Sequence, residues 1–161
     1  MSEPPADILR RLKPIPTYTD RPATAPHDIA GVAPDGTPRR IDVVEAAAPA
    51  VLLFLSAACL GCRDLWEGLR ALQAGLAGAA RLVVVTRSPG EESPEAITAL
   101  AGDAPLVDGI DLVMSTAAFG DYRVAGPPFL TVADAATVRT ESVAWGVEQT
   151  LATALAALRD G

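Results

Sequence analysis

The stretch from Val51 to Trp66 constrains the fold of this chain more than any other part of the sequence. It opens with an unbroken apolar run, Val51 to Leu55, which is typical of a strand buried on both faces of a sheet. The segment after it has apolar residues at the spacing of an amphipathic helix, namely Leu65, Trp66, Leu69, Leu72 and Leu76. The stretch therefore predicts a buried strand of an α/β sheet that leads directly into a helix.

Two cysteines, Cys59 and Cys62, lie at this junction of strand and helix. Unpaired backbone N–H groups and the helix dipole stabilise an anion at a helix N-terminus, so a thiol placed there ionises more readily. In a Cys-x-x-Cys pair on a first helical turn, the first sulfur attacks and the second resolves the mixed disulfide. We therefore predict that Cys59 is the nucleophile and that Cys62 is the resolving thiol.

Two other uses of the cysteines compete with this redox interpretation. A structural zinc site needs four ligands, and among cysteine and histidine the chain has only the two cysteines and His27, so zinc is not expected. No other cofactor is expected either. A pair of buried structural thiols stays open, because small hydrophobic cysteines are common in protein cores. The position between a buried strand and a helix favours redox chemistry.

A pair of prolines, Pro127 and Pro128, leads directly into an apolar run that begins at Phe129. Proline lacks the N–H group that a central strand needs, so it belongs at a strand's first residue, where an X-Pro bond is a candidate for the cis form. Together with the cysteines, this loop resembles the thioredoxin superfamily, in which a Cys-x-x-Cys helix start faces a cis-proline loop. In this resemblance Cys59 and Cys62 match the redox pair, and Pro128 matches the cis-proline.

The resemblance covers roughly residues 28 to 158, and its spacing points to one branch of the superfamily. Two further strand-like runs, Arg81 to Thr86 and Asp111 to Ser115, lie between the redox helix and the proline loop, with a helix-like segment between them. This extra unit resembles the thiol:disulfide oxidoreductases of the TlpA and MauD type. The resemblance implies that an extended substrate segment pairs with the backbone at Gly126, Pro127 and Pro128, beside the cysteines.

Two positions depart from the thioredoxin pattern. The tryptophan that commonly precedes the first cysteine is Ala58, and Leu53 stands where thioredoxin has a buried aspartate that helps proton transfer. The sequence therefore identifies no proton acceptor for Cys62. His27, beside Pro26, is expected to be a loop residue, and Arg63 and Asp64 are expected on a solvated helix surface.

Length and charge limit the domain organisation and the partners. A chain of 161 residues is expected to form an irregular proline-rich arm over residues 1–27 and one thioredoxin-like domain over residues 28–161. The formal charge of −7 argues against nucleic acid or an anionic membrane as partner, since both bind basic patches. The N-terminus has no basic-then-apolar pattern of a signal peptide, so a cytoplasmic location is expected. The expected partner is a disulfide-containing protein or small molecule, with an unknown electron donor.

The remaining elements complete an α/β architecture, a central mixed sheet with helices on both faces and an N-terminal β-hairpin. The turn Asp35-Gly36 predicts the hairpin, and Ser93-Pro94 predicts a capped helix start. The chain is expected to close with an antiparallel strand pair and a last helix, at Phe129 to Ala133, Val138 to Trp145, and Val147 to Arg159.

Three functions stay open on the sequence alone. The leading one is a thiol:disulfide oxidoreductase that reduces or exchanges disulfides and so contributes to cell redox homeostasis. A peroxiredoxin-like peroxide reductase is the second, because Ser56 stands three residues before Cys59, although Leu52 replaces the proline of that family. The third is a thioredoxin-fold binding module that does not turn over.

Overall fold

A seven-stranded mixed sheet organises residues 24–160, the part of the chain that the computed structural model describes. The strands are β1 (Ile29–Val32), β2 (Pro38–Ile41), β3 (Ala50–Phe54), β4 (Arg81–Thr86), β5 (Ile110–Met114), β6 (Phe129–Ala133) and β7 (Val138–Val143). Their spatial order is β2-β1-β5-β4-β3-β6-β7. The three central strands β3, β4 and β5 are parallel, and every other pairing is antiparallel. The predicted mixed sheet is confirmed.

Helices cover both faces of this sheet, as predicted. They are α1 (Arg63–Glu67), α2 (Leu69–Leu76), α3 (Pro94–Ala101), α4 (Thr116–Asp121) and α5 (Val147–Arg159). Side chains alternate along β3, so Val51 and Leu53 join the core beneath α1, α2, α3 and α5, whereas Leu52 and Phe54 join the core beneath α4. Among residues 24–160, no helix combines the length and the hydrophobicity needed to span a bilayer.

The predicted hairpin and helix cap are both confirmed. Gly36 has a φ of 88° in the turn between β1 and β2, and Asp35 Oδ1 accepts a hydrogen bond from the Thr37 amide at 2.9 Å. Ser93 Oγ accepts from the Ala96 amide at 3.2 Å at the start of α3. The proposed arm falls almost wholly outside the described residues, which begin at position 24.

The redox helix differs from the single helix that its periodicity predicts. It consists of a 3-10 turn, Leu60–Cys62, followed by α1 and α2, with a break at Gly68. A Cβ atom at Gly68 would lie 2.2 Å from Val147 Cγ2, so the start of α5 packs directly on the bare backbone at the break. The second of these helices, α2, ends at Leu76.

Tyr122 fastens the segment before β1 to the face of the sheet that α4 covers. Its side chain is fully buried, and its hydroxyl donates to the His27 carbonyl and accepts from the His27 amide at 2.8 Å. His27 is an exposed loop residue, as predicted, and it holds Tyr122 through its main chain.

We expect Tyr122→Phe to lower the free energy of unfolding by about 1–3 kcal/mol, because it leaves two main-chain groups without their partner. Urea unfolding followed by circular dichroism measures the change. His27→Ala is the matched control and should have a smaller effect, since it keeps both backbone hydrogen bonds and removes only the edge-on contact between the two rings. A Tyr122→Phe protein as stable as the wild type would show that these bonds contribute nothing net.

Candidate functional site

The two cysteines lie between the end of β3 and the start of α1, as the sequence predicts. Cys59 precedes the 3-10 turn and Cys62 ends it, with the Cys62 amide donating to the Cys59 carbonyl at 3.2 Å. Cys59 is half-buried, Cys62 is fully buried, and both are free thiols. Solvent therefore reaches the first sulfur and not the second.

Burial raises the pKa of the Cys62 thiol from 9.0 to about 12. A hydrogen bond with Cys59 and the negative charges of Cys59 and Glu92 act in the same direction, while a hydrogen bond from the Ser56 backbone lowers the pKa. Cys62 is therefore a neutral thiol at neutral pH. It has to lose a proton before it can act as a nucleophile.

Ser56 lies two residues after the end of β3, and its hydroxyl binds the carboxylate of Glu92. Its hydroxyl donates to Glu92 Oε1 at 3.0 Å, and its carbonyl accepts from Trp66 Nε1 at 3.1 Å. The neighbouring Ala57 amide donates to Glu92 Oε2 at 3.2 Å. Both carboxylate oxygens of Glu92 thus accept hydrogen bonds from the segment between β3 and Cys59.

Glu92 is a candidate functional residue that the sequence does not reveal. It lies 36 positions after Ser56, in the loop between β4 and α3. Ser88 orders this loop, because its carbonyl accepts from the Glu91 and Glu92 amides, both at 3.1 Å, and its backbone and side chain exchange two 2.9 Å hydrogen bonds with Thr116. Within residues 24–160, no group of three or more His, Cys, Asp or Glu side chains could hold a metal ion.

The proline loop, residues 126–128, contacts the 3-10 turn of residues 60–62, the redox turn, at Gly61. The Pro127–Pro128 bond is cis, as predicted. A Cβ atom at Gly61 would lie 3.7 Å from Pro128 Cδ and 4.0 Å from Cys59 Sγ, so the proline ring and the sulfur are both close to this glycine. Gly126 is open, with no atom within 4 Å of a Cβ built on it. The structure therefore brings the predicted redox pair and the predicted proline loop together.

A groove of about 260 Å³ runs beside this meeting point. Its lining comes from the redox turn, the proline loop and the connection from β7 to α5, and consists of Gly61, Asp64, Pro128, Val143, Ala144, Trp145 and Gly146. Trp145, in the lining, has a large apolar side chain that is 76% exposed, and Leu60, next to Gly61 in the chain, is 85% exposed. The sequence places Trp145 only at the end of the last predicted strand, and its position in the groove depends on the connection after β7.

The fold places this chain beside solved structures of known proteins. A secreted disulfide oxidoreductase of Mycobacterium tuberculosis, homologous to E. coli DsbE, is 17% identical, with 80% of this chain and 95% of that chain covered at a TM-score of 0.62. The peroxidoxin BcpB of the same organism is 21% identical, with 86% and 96% covered at a TM-score of 0.62. The thioredoxin domain of a thiol-disulfide oxidoreductase from Bacteroides vulgatus is 14% identical, with 83% and 95% covered at 0.63.

No protein-family model matches the sequence, and no curated protein matches it either. The similarity to solved structures extends over four fifths or more of this chain in all three comparisons. It agrees with the observed sheet order, the Cys-x-x-Cys pair at the end of β3 and the cis-proline before β6. The chain therefore has the thioredoxin-like fold.

Proposed function

We propose that this protein is a thiol:disulfide oxidoreductase that reduces disulfides through Cys59 and Cys62. The observation that carries the proposal is the pair itself, a half-buried thiol and a fully buried thiol one turn apart, beside the cis-proline loop. The similar structures named as disulfide oxidoreductases support it. The β1–β2 hairpin and the extra α3–β5 unit support a place near the TlpA and MauD branch.

The reaction consists of two thiol exchanges. The Cys59 thiolate attacks one sulfur of the client disulfide, forms a mixed disulfide and releases the other client sulfur as a thiolate, which takes up a proton. Cys62 then loses its proton and attacks the Cys59 sulfur, which forms the Cys59–Cys62 bond and releases the second client thiolate. Two electrons pass from the protein to the client, and a dithiol donor returns them.

In this proposal the protein acts as a reductant. Strong oxidants of this fold owe their potential to a stabilised reduced form with a low thiol pKa. Here burial and, after it, the hydrogen bond with Cys59 raise the pKa of Cys62 to about 12, so Cys62 supplies no stabilised thiolate of this kind. A reductant also suits a compartment in which thiols stay reduced, so a cytoplasmic location belongs to this proposal.

We propose that the client binds along the proline loop and the adjacent groove. An extended client segment pairs with the backbone at Gly126 and Pro127 and lays its cysteine against Pro128, a form of strand addition. Leu60 and Trp145 then offer apolar surface to the residues next to that cysteine. A client with a large apolar residue beside its cysteine would gain most from this contact.

Peroxide reduction is the second candidate. Ser56 stands three residues before Cys59, and one of the similar structures is a peroxidoxin. The Ser56 hydroxyl, however, donates to Glu92 and accepts from the Ala58 amide at 3.2 Å. These bonds commit it to the loop, so we rank peroxide reduction below disulfide reduction.

Three assays on the full-length protein test the proposed function. Insulin reduction by dithiothreitol should accelerate in the presence of the wild type and not of Cys59→Ser, while peroxide consumption should stay at background. A redox titration should give a potential near that of thioredoxin, about −270 mV, and one near −120 mV would indicate an oxidant instead. Absence of any disulfide reduction would leave the binding module as the better description.

Iodoacetamide should modify Cys59 at least about tenfold faster than Cys62 in the reduced protein at neutral pH, because only an accessible thiolate is alkylated. Cys62 is fully buried, and its pKa is raised to about 12. Tandem mass spectrometry of the peptide that contains both cysteines locates the label. Cys59→Ser serves as the control, since it reports the rate at Cys62 alone. Faster labelling of Cys62 would reverse the assignment of attacker and resolver.

A further inference from the structure

The resolving thiol of Cys62 and the carboxylate of Glu92 both form hydrogen bonds with Ser56. The Ser56 backbone forms a hydrogen bond with Cys62, and the Ser56 hydroxyl donates to Glu92 Oε1 at 3.0 Å. The second oxygen, Oε2, accepts from the Ala57 amide at 3.2 Å. Glu92 is therefore fixed at both oxygens, and its charge acts on Cys62.

The proposed reaction needs a base at this point. Cys62 is fully buried, so bulk solvent does not reach its proton while the client covers Cys59. The strand beneath the cysteines supplies no carboxylate, because Leu53 is fully buried in the same core cluster as Cys62. A buried thiol beside an apolar strand stays protonated unless another element provides the acceptor.

We propose that Glu92 accepts the proton of Cys62 during resolution, and that Ser56 and Ala57 hold its carboxylate at this site. The inference rests on the proposed function and assigns the proton acceptor of that same site. Glu92 is thus the proton acceptor, and Ser88 and Thr116 hold its loop against the start of α4.

The proton and the electrons balance in this step. Cys62 Sγ gives its proton to the Glu92 carboxylate and, as a thiolate, attacks Cys59 Sγ of the mixed disulfide. The Cys59–Cys62 bond forms as the bond to the client breaks, and the client sulfur leaves as a thiolate with the electron pair. The protonated Glu92 then releases its proton to solvent or to that thiolate, which restores the carboxylate.

Other charged groups lie near Glu92 and have partners of their own. Arg87 and Glu91 pair on the same loop at 3.7 Å, and Glu95 accepts from the Ser93 hydroxyl at 3.2 Å. The charged residues of α1, which are Arg63, Asp64 and Glu67, are exposed.

A role as a fixed charge and a role as a base predict opposite effects for Glu92→Gln. The carboxylate raises the pKa of Cys62, so removal of its charge alone would make the thiolate more available and resolution faster at neutral pH. Removal of a base makes resolution slower instead. Glutamine keeps an acceptor oxygen for Ser56 or Ala57, so the loop is expected to keep its structure.

The experiment follows a single turnover of the reduced protein with 5,5′-dithiobis(2-nitrobenzoate) in a stopped-flow spectrophotometer. Attack by Cys59 releases the first coloured thiolate, and attack by Cys62 on the mixed disulfide releases the second. We expect Glu92→Gln to slow the second phase about 100-fold at pH 7 and to leave the first phase within about twofold. The deficit should shrink as the pH rises, because hydroxide replaces the lost base, and Glu92→Asp should restore part of the rate.

Glu91→Gln is the matched control, since it removes the neighbouring carboxylate, which is exposed and pairs with Arg87. Its second phase should equal that of the wild type. A second phase in Glu92→Gln that is unchanged or faster at pH 7 would overturn the role of Glu92 while leaving the proposed function intact. A wild type that shows no second phase at any pH would overturn the proposed function itself.

Discussion

A Cys62→Ser variant should accumulate mixed disulfides through Cys59 and lose turnover in the insulin assay. Cys59 keeps its position before the 3-10 turn, so attack on a client disulfide still occurs. Resolution stops because a serine hydroxyl cannot displace the client sulfur from the Cys59 sulfur. Non-reducing electrophoresis with an added disulfide-containing protein measures the trapped species, which should disappear on addition of dithiothreitol.

Two further variants make this result specific. Cys59→Ser should trap nothing, since Cys62 is fully buried and remains protonated at neutral pH. Serine places a hydroxyl in an apolar site, at a cost of about 1–3 kcal/mol, so Cys62→Ala repeats the test without a buried polar group. Trapped species that persist in Cys59→Ser would assign the attack to Cys62. Absence of trapping in both Cys62 variants would favour the binding module.

The parts of the fold that the sequence predicts are those whose signals are local. The buried strand, the cysteine pair and the double proline are short patterns, and each is placed by residues next to it in the chain. The capped start at Ser93 is equally local, because its hydroxyl bonds the Ala96 amide three positions on. These elements were therefore predictable, and so was the position of Cys59 relative to Cys62.

The break at Gly68 depends on a contact between distant segments and was not predictable. The apolar spacing continues unchanged through this position, so periodicity alone predicts one helix. The break coincides with the place where Val147 packs on the glycine, and Val147 lies in the last helix of the chain. Only the packing of α5 against the redox helix distinguishes this glycine from one within a continuous helix.

Glu92 and Trp145 were missed for the same reason. Each lies outside the motif, in a connection whose path is set by the sheet order. Glu92 reaches Ser56 because β4 lies next to β3, so the loop after β4 begins beside the redox junction. Trp145 reaches the groove because β7 pairs with β6, which follows the cis-proline. The cysteine pair can therefore be recognised from neighbouring residues in the sequence. The proposed base Glu92 and the proposed client surface at Trp145 come to the site only through the tertiary fold.

Gly126→Trp should reduce the mixed disulfides trapped by Cys62→Ser about tenfold or more while leaving Cys59 reactive. Gly126 is half-buried beside the proline loop, and no atom lies within 4 Å of a Cβ built on it, so the added side chain projects into open space without disturbing the fold. That open space is where the proposed function places the client strand. An indole there would occupy the path of a polypeptide segment.

Matched substitutions separate obstruction from general damage. Gly126→Ala adds a single methyl group and should trap as well as the parent, and Gly120→Trp adds the same indole at an exposed position of α4, where a Cβ also meets nothing within 4 Å. Iodoacetamide labelling of Cys59 and reaction with a small aromatic disulfide should stay within about twofold in all three variants, because neither reagent needs a strand-binding surface. Protein clients should therefore be lost while small reagents are retained. Equal trapping in Gly126→Trp and Gly120→Trp would mean that clients approach Cys59 from the side of Leu60 and Trp145 without pairing to the proline loop.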